Sequence, residues 1–441
     1  MSARDSVVTT RSPWIWVPTL YFTQAIPYTM VIFVSRVFYK KMEVSNAEIA
    51  FYVSLLGWPW VIKPLWSPIV DILKTKRWWI LITQVSLSAG LAGVAMVIPT
   101  TEFFFWSILL LSVVALASAT HDIASDGFYM LASDSHEQAF FVGIRSTCWR
   151  LGMIACQGLL VIFAGYQERH LESISGAWSM TFLLVAGYLL LLALFHKFAL
   201  PKPARDVRTQ TTSSSELIRE FSTTFTCFFR KPRIGIVLAF ILLYRFSEAQ
   251  LVALKSPFFL DSVEEGGLGL STQQVGWLDG TVGAVLLLAG GILGGTLAAK
   301  QGLKAWIWWM VVSINAPNLA YIYLAAVQPD NYLWICAAVA IEQFGYGFGF
   351  AGYMLYLLYI ARGNHETAHY AICTGFMALG VMVPGMWAGA MQEILGYRDF
   401  FIWVMLATIP SFFVCWLIPL DADFGKKVEP EESTSAEEST V

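Results

Sequence analysis

An all-α integral membrane protein, with twelve transmembrane helices in two pseudo-symmetric six-helix bundles, is the fold class the sequence predicts. Three observations predict it. Hydrophobic residues make up 57% of the 441 positions and charged residues only 13%, against roughly 25% charged in soluble domains; mean hydropathy is +0.60. Apolar runs of about 20 residues or more, the length that crosses a bilayer, recur without the continuous polar face a soluble helix needs. One polar stretch near the middle divides those runs six from six.

The spans are placed at 14–38, 47–70, 78–99, 103–131, 138–165 and 178–199, then at 234–260, 272–298, 305–327, 332–361, 367–394 and 398–420. The first follows the polar segment 1–13 directly, with no small-residue cleavage site of the kind that ends a signal peptide. Tilt absorbs the extra length of the longer runs. Trp14, Trp16, Trp78, Trp79, Trp306, Trp308 and Trp309 stand at span ends, where aromatic rings settle at the headgroup level. Pro59 and Pro64 in span 2 and Pro384 in span 11 are expected to kink their helices. Residues 200–233, opening LPKPARDVRT, hold no crossing run and read as a linker between bundles 14–199 and 234–420. Residues 421–441 are acidic and rich in Ser and Thr, the composition of a disordered tail.

Lys and Arg set the orientation. With the N-terminus cytoplasmic, the inner side receives Arg4, Arg11, Lys74, Lys76, Arg77, Lys197, the basic linker, Lys300, Lys304, Arg362, Lys426 and Lys427. The outer side receives only Lys40, Lys41, Arg169 and Arg398, so both termini are expected in the cytoplasm. The six cysteines lack metal-ligand spacing and read as small buried hydrophobes. No metal or cofactor is implied, and no basic aromatic patch suggests nucleic acid.

The two halves resemble each other. "SNAEIAFYVSLLGW" (45–58) matches "STQQVGWLDGTVGA" (271–284), "DGFYML" (126–131) matches "AGYMLY" (351–356), and "EQAFFVG" (137–143) matches "ETAHYAI" (366–372). All share an offset of about 225–230 residues, the mark of an internal duplication.

Charges inside the spans carry the chemistry. A charge at mid-membrane costs roughly 2.5–3.5 kcal/mol on insertion scales and persists where it faces a partner or a wet cavity. The candidates are Lys63, His121, Asp122, Asp126, Arg145, Arg150, Arg245, Glu248, Lys255, Asp279 and Glu342. They concentrate in spans 4, 5 and 7 and are nearly absent from spans 3, 6, 9 and 12, which read as outer supports. Residues three or four apart share a helix face, so Asp122 and Asp126 stack on one face, with His121, Ser125 and Tyr129 on the neighbouring one. Two like charges need cations, which Arg145, Arg150 or Lys63 can supply. The competing reading is a structural network that fixes helix packing. His121 and Asp126 also spell the H-x-x-x-x-D of some acyltransferases, but five positions along a helix point roughly 140° apart, and no αβ domain accompanies them. Gly345, Gly347, Gly349 and Gly352 make a small-residue stripe on span 10 suited to close packing or flexing; no strand precedes it, so it is not a nucleotide loop.

The duplication resembles the layout of the major facilitator superfamily, whose substrate site lies between the halves. "GTLAAKQGLK" (295–304) resembles that superfamily's short basic loop: Gly295, Leu297, Ala298, Lys300, Gly302 and Lys304 fit, with Ala299 in the place of an acid. "LLGWPWVIKPLWSPIVD" (55–71), "SATHDIASDGF" (118–128), "RLGM" (150–153) and "LLYRFSEAQL" (242–251) resemble more narrowly the AmpG-type muropeptide permeases, relatives of the acetyl-CoA transporters. Lys63, Asp71, Asp122, Asp126, Arg150, Arg245 and Glu248 fill the family's charged positions, and His121 stands where Gln is common.

The resemblance implies a proton-driven, multi-pass importer of the cell inner membrane, expected as a monomer and not an enzyme. Its cargo would be N-acetylglucosaminyl-anhydro-N-acetylmuramic acid, with or without stem peptide. Asp122, Asp126 and Glu248 would carry the proton. Lys63, Arg150, Arg245, His121, Tyr129, Tyr244, Glu342 and Tyr346 would meet the cargo. Asp71, Lys74, Arg77 and Lys300 would latch the cytoplasmic helix ends, unless they are ordinary interfacial charges. Two alternatives stay open: a transporter of another organic anion, sugar, siderophore or acyl-CoA, and a membrane sensor that transports nothing.

Overall fold

The computed structural model describes residues 11–133, 135–203, 206, 214–362, 366–421 and 424, and among them every regular element is a helix. Segment 1–10 and nearly all of the tail lie outside the described residues. Among the described residues ten helices are long and apolar enough to cross a bilayer, and together with span 2, which is not among the ten, they make twelve crossings. Span 2 is split into Asn46–Leu55 and Trp58–Leu73, and Ala368–Leu417 holds two crossings in one. The left-handed backbone at Gly396 (φ 76°) separates those two, a conformation that only glycine adopts without steric cost.

The remaining crossings are Pro13–Lys41, Lys76–Val97, Phe103–Ala132, Ile144–Leu171, Ile174–Ala199, Ile234–Leu260, Thr272–Gln301, Leu303–Val327 and Tyr332–Ala361. Span 5 begins earlier than its apolar core, at Ser135. The duplication shows in the caps. Ser45 accepts a hydrogen bond from the Glu48 N–H, and Ser271 accepts one from the Gln274 N–H. These are the same cap at the same place in spans 2 and 8, satisfying amides that a helix start leaves free. Spans 4 and 10 are both 30 residues long.

Three differences from the sequence reading have local causes. Span 2 breaks at Leu56–Gly57, ahead of Pro59, because proline is tolerated in the first turn of the following helix. Trp16 is not interfacial: it is fully buried, edge-on to Phe128 at 5.2 Å, while Trp14, Trp78, Trp308 and Trp309 are exposed. The linker, read only as holding no crossing run, contains the helix Ser214–Phe229, whose Phe228 is buried against the second half.

Glycines set the tightest packing. On span 10, a methyl at Gly345 would lie 2.1 Å from the Ser313 carbonyl of span 9, and one at Gly347 would lie 2.1 Å from the Leu287 carbonyl of span 8. The stripe therefore brings two neighbours against one helix. The halves meet mainly toward the end opposite the linker, the far end, which carries the turns at 42–45 and 262–271. There span 2 runs along span 11, with Gly389 against the Asn46 carbonyl, and span 5 runs along span 8, with Gly165 against the Gln273 backbone.

Candidate functional site

Down the axis between the halves, from far end to linker end, polar contacts form successive layers. At the far end, Asp261 closes span 7 and is 5% exposed. It pairs with Lys40 of span 1 and accepts from Tyr397 of span 12. Asn46 Nδ2 of span 2 lies 3.0 Å from Asp261 Oδ2, 2.8 Å from Gln392 Oε1 and 2.9 Å from Tyr397 Oη. Beside it, Glu168 of span 5 accepts from Thr272 of span 8 (2.7 Å) and Trp178 Nε1 (2.9 Å), with Lys41 at 3.8 Å. These contacts tie one half to the other and close this end.

Below the lock lies a buried triad in the second half. Lys255 Nζ stands 2.8 Å from Asp279 and 3.3 Å from Glu342, and Tyr321 donates to Glu342 at 3.1 Å. Arg36 of span 1 reaches across at the same depth, donating to the Val252 carbonyl at 3.4 Å.

The central layer uses the break in span 7. The helix stops at Leu243 and restarts at Phe246, which turns Arg245 inward. Its Nε donates to Glu248 at 3.0 Å and a terminal nitrogen to Tyr346 Oη at 2.8 Å. The guanidinium also lies over the Tyr346 and Phe350 rings, at 5.4 and 5.1 Å. Among first-half residues, Lys63 of span 2 pairs with Asp122 of span 4. Nearest the linker end, Tyr21 donates to Asp126 at 2.9 Å, and Arg145 of span 5 donates to Tyr21 Oη at 3.0 Å and stands 3.5 Å from Asp126. The two stacked carboxylates of span 4 thus have separate cations, one on each neighbouring span.

Arg150 points across the interface, 3.9 Å from the position a methyl on Gly291 would take, and has no ion-pair partner among the described residues. Glu342, expected to meet cargo, is 3% exposed and committed to Lys255 and Tyr321. Three further residues expected to meet cargo are buried, and their contacts are with other groups of the protein. Tyr244 is fully buried, donates to the Gly349 carbonyl at 3.0 Å and stacks on Tyr353. Tyr129 packs edge-on against Tyr21 and Trp16. His121 is fully buried inside the first half: its Nε2 is 3.1 Å from Gln84 Nε2, and Gln84 continues to His196 (2.9 Å) and His196 to Thr19 (3.0 Å). The i, i+4 rule places these residues on a face without saying what that face meets.

For His121 the consequence is measurable. His121→Gln preserves a donor and an acceptor for Gln84 and should leave thermal stability and transport near wild type. His121→Ala leaves a buried amide short of a partner, a loss of about 1–3 kcal/mol, and should lower the melting midpoint of the detergent-purified protein. Equal destabilisation by both would show that the ring itself is required.

Of the gating candidates, the Asp71 side chain lies outside the described residues. Arg77 donates to the Lys197 carbonyl, and its own N–H to Asp206 at 3.0 Å, tying span 3 to span 6 and the linker. Lys74 is exposed, 6.0 Å from the Trp78 ring, and Lys300 is exposed. At Gly302, which follows Lys300, φ is 89°, so that turn of the basic loop requires glycine. Sequence reasoning missed the Asp261 lock and Arg36. Asp261 falls just past a span end, where a carboxylate is unremarkable, and Arg36 lies near the end of span 1, where a long cation ordinarily snorkels.

The family profile of the Major Facilitator Superfamily matches residues 19–383. The chain is 24% identical over 381 residues to the anhydromuropeptide permease of Escherichia coli (strain K12), covering 84% of this chain and 73% of that one. It is 22% identical over 408 residues to the putative transporter AmpG 4 of Rickettsia conorii, covering 90% and 94%. Its backbone superposes on the partially occluded inward-open conformation of the xylose transporter XylE from E. coli with a TM-score of 0.68 at 11% identity, over 93% of this chain and 99% of that one.

Proposed function

Because the chain belongs to the Major Facilitator Superfamily and is homologous to AmpG-type transporters, we propose that it imports anhydro-muropeptides for cell-wall recycling, driven by protons. One observation carries the reading. Ion pairs from both halves line the space between them, locked at the far end and partly exposed below, where Asp126 keeps 41% of its side-chain surface. Ions held this way need a wet cavity, and a space lined from both halves is where alternating access places cargo.

The Lys and Arg asymmetry supports an orientation with the far end outside and both termini in the cytoplasm, and in that orientation this conformation faces inward. The cargo class follows from the E. coli relative's name and from the chemistry here. A muropeptide brings carboxylates, which suit Arg and Lys, and N-acetyl sugars, which suit rings and hydroxyls. Asp122, Asp126 and Glu248 supply the candidates for the proton. Import requires the Asp261 and Glu168 contacts to part at the far end while the halves close near the linker.

The test is flux. The purified chain in proteoliposomes, acid outside, should accumulate radiolabelled N-acetylglucosaminyl-anhydro-N-acetylmuramic acid, and a protonophore should abolish the accumulation. Flux that ignores the proton gradient would remove the coupling. No flux of this cargo would move the reading to another organic anion or to a sensor.

A further inference from the structure

We propose that Arg36, together with Tyr28, Trp60 and Trp149, forms a recognition unit for a carboxylate-bearing amino sugar: the guanidinium takes the carboxylate and the three rings take the sugar. The proposal rests on the import reading above and assigns the subsite within it.

Arg36 is the cation that the charge pairing leaves over. Lys63 has Asp122, Arg145 has Asp126, Arg245 has Glu248, and Lys255 has two acids. Arg36 is 3% exposed and has no ion-pair partner among the described residues. Its Nε is buried without a hydrogen-bond partner, and its bond to the Val252 carbonyl is long. A buried guanidinium without a counter-anion is costly. Arg150 also lacks an acid, but it is only half-buried, so water can serve it. The missing partner of Arg36 is therefore something the protein does not carry. A carboxylate matches the planar fork of donors that a guanidinium presents.

The backbone builds the rest of the unit. In span 1 the segment Met30–Val34 is a π-helix, whose wider turn brings residues five apart onto one face. Tyr28 and Phe33 consequently meet at 6.1 Å, and Arg36 lies over the Phe33 ring at 5.9 Å. Tyr28 stands edge-on to Trp60 of span 2 at 5.0 Å and tilted against Trp149 of span 5 at 6.0 Å. All three rings are half-buried, leaving apolar faces on which a sugar ring can stack. From the second half, the Val252 carbonyl of span 7 comes within 3.4 Å of Arg36. The unit therefore lies at the meeting of the halves, beneath the far-end lock.

The test measures equilibrium binding of two ligands to the full chain in nanodiscs: labelled N-acetylglucosaminyl-anhydro-N-acetylmuramic acid and its methyl ester, which lacks the negative charge. Wild type should prefer the acid. Arg36→Gln should weaken the acid about 10- to 100-fold, the worth of a charge-assisted hydrogen bond, and leave the ester unchanged. The empty variant should melt no lower than wild type, since an unpaired buried charge is removed. Arg36→Lys should keep part of the preference. Equal loss for acid and ester, or a lowered melting midpoint, would make Arg36 a packing residue and overturn the assignment. An unchanged preference for the acid would overturn the subsite alone, whereas wild-type protein that binds neither compound would overturn the muropeptide cargo and this ligand with it.

Discussion

Gly280→Leu should reduce uptake to background and leave the far end open to water. A methyl at Gly280 would lie 1.9 Å from Gly158 Cα, 2.2 Å from Gly158 N and 2.7 Å from the Gln157 carbonyl carbon. These are backbone atoms, which cannot rotate aside as a side chain can. Both glycines lie in π-helical segments, Ala155–Leu160 of span 5 and Leu278–Gly283 of span 8. Such segments recur at functional places in helices, and here two of them face each other across the halves. Overpacking an ordinary core costs about 1–3 kcal/mol, absorbed by small shifts. At this contact the available shift is separation of the halves, which undoes the conformation seen here. A cysteine at Ala50, fully buried one turn along the same helix from Asn46, reports the outcome in a background without the exposed Cys227. An impermeant maleimide should label Ala50→Cys poorly alone and readily when Gly280→Leu is added. Gly187→Ala is the control, since nothing lies within 4 Å of the added methyl and helical propensity mildly favours it. Normal uptake by Gly280→Leu would show that the cycle does not need this contact to close.

The contrast between Gly280 and Asp122 shows what a sequence of this kind makes legible. Hydropathy is local and summed over a window, so the spans, the division into halves and the polar faces of span 4 could all be read directly. The pairing of Asp122 and Asp126 with cations on spans 2 and 5 followed from charge balance, although which cation served which acid needed the fold. Gly280 carries no comparable signal. It is one of several glycines in span 8, and its role exists only because Gly158, from the other half, arrives opposite it. Asp261 is the same case: its partners come from spans 1, 2 and 12, and no spacing along the chain records that meeting. His121 and Tyr244 show the converse. Their residue type suggests cargo contact, but polarity inside a membrane protein also serves helix packing, and the partners that each polar atom finds in the fold separate the two uses: Gln84 takes His121 and the Gly349 carbonyl takes Tyr244. Helix Ser214–Phe229 is too short and polar to read as a span, and its Phe228 becomes meaningful only where it finds the second half.

Among the three acids proposed for the proton, geometry singles out one, and Asp126→Asn should abolish gradient-driven accumulation while sparing exchange. Glu248 is 2% exposed and held by two nitrogens of Arg245, at 3.0 and 2.9 Å. Asp122 is held by Lys63. Asp126 has the loosest cation of the set, Arg145 at 3.5 Å, the most open side chain at 41%, and a neutral donor in Tyr21 at 2.9 Å. A carboxylate must shed its partner to accept a proton, and Asp126 has the least to shed; it also faces the end that is open here, where a proton leaves for the cytoplasm. Replacing it with Asn removes the titrating group but keeps an acceptor for Tyr21, and Arg145 retains Tyr21 Oη at 3.0 Å and the Tyr21 and Tyr129 rings at 5.0 and 5.1 Å. The variant should therefore fold, unlike a truncation that strands a buried cation at a cost of about 3–5 kcal/mol. Proteoliposomes with acid outside should show no accumulation by Asp126→Asn at any imposed gradient, whereas counterflow of labelled against unlabelled cargo, which needs no net proton movement, should continue. Asp122→Asn, which strands Lys63, should lose both activities together. Accumulation by Asp126→Asn at the wild-type rate would clear this carboxylate of the proton, leaving Glu248 to be tested by the same pair of assays.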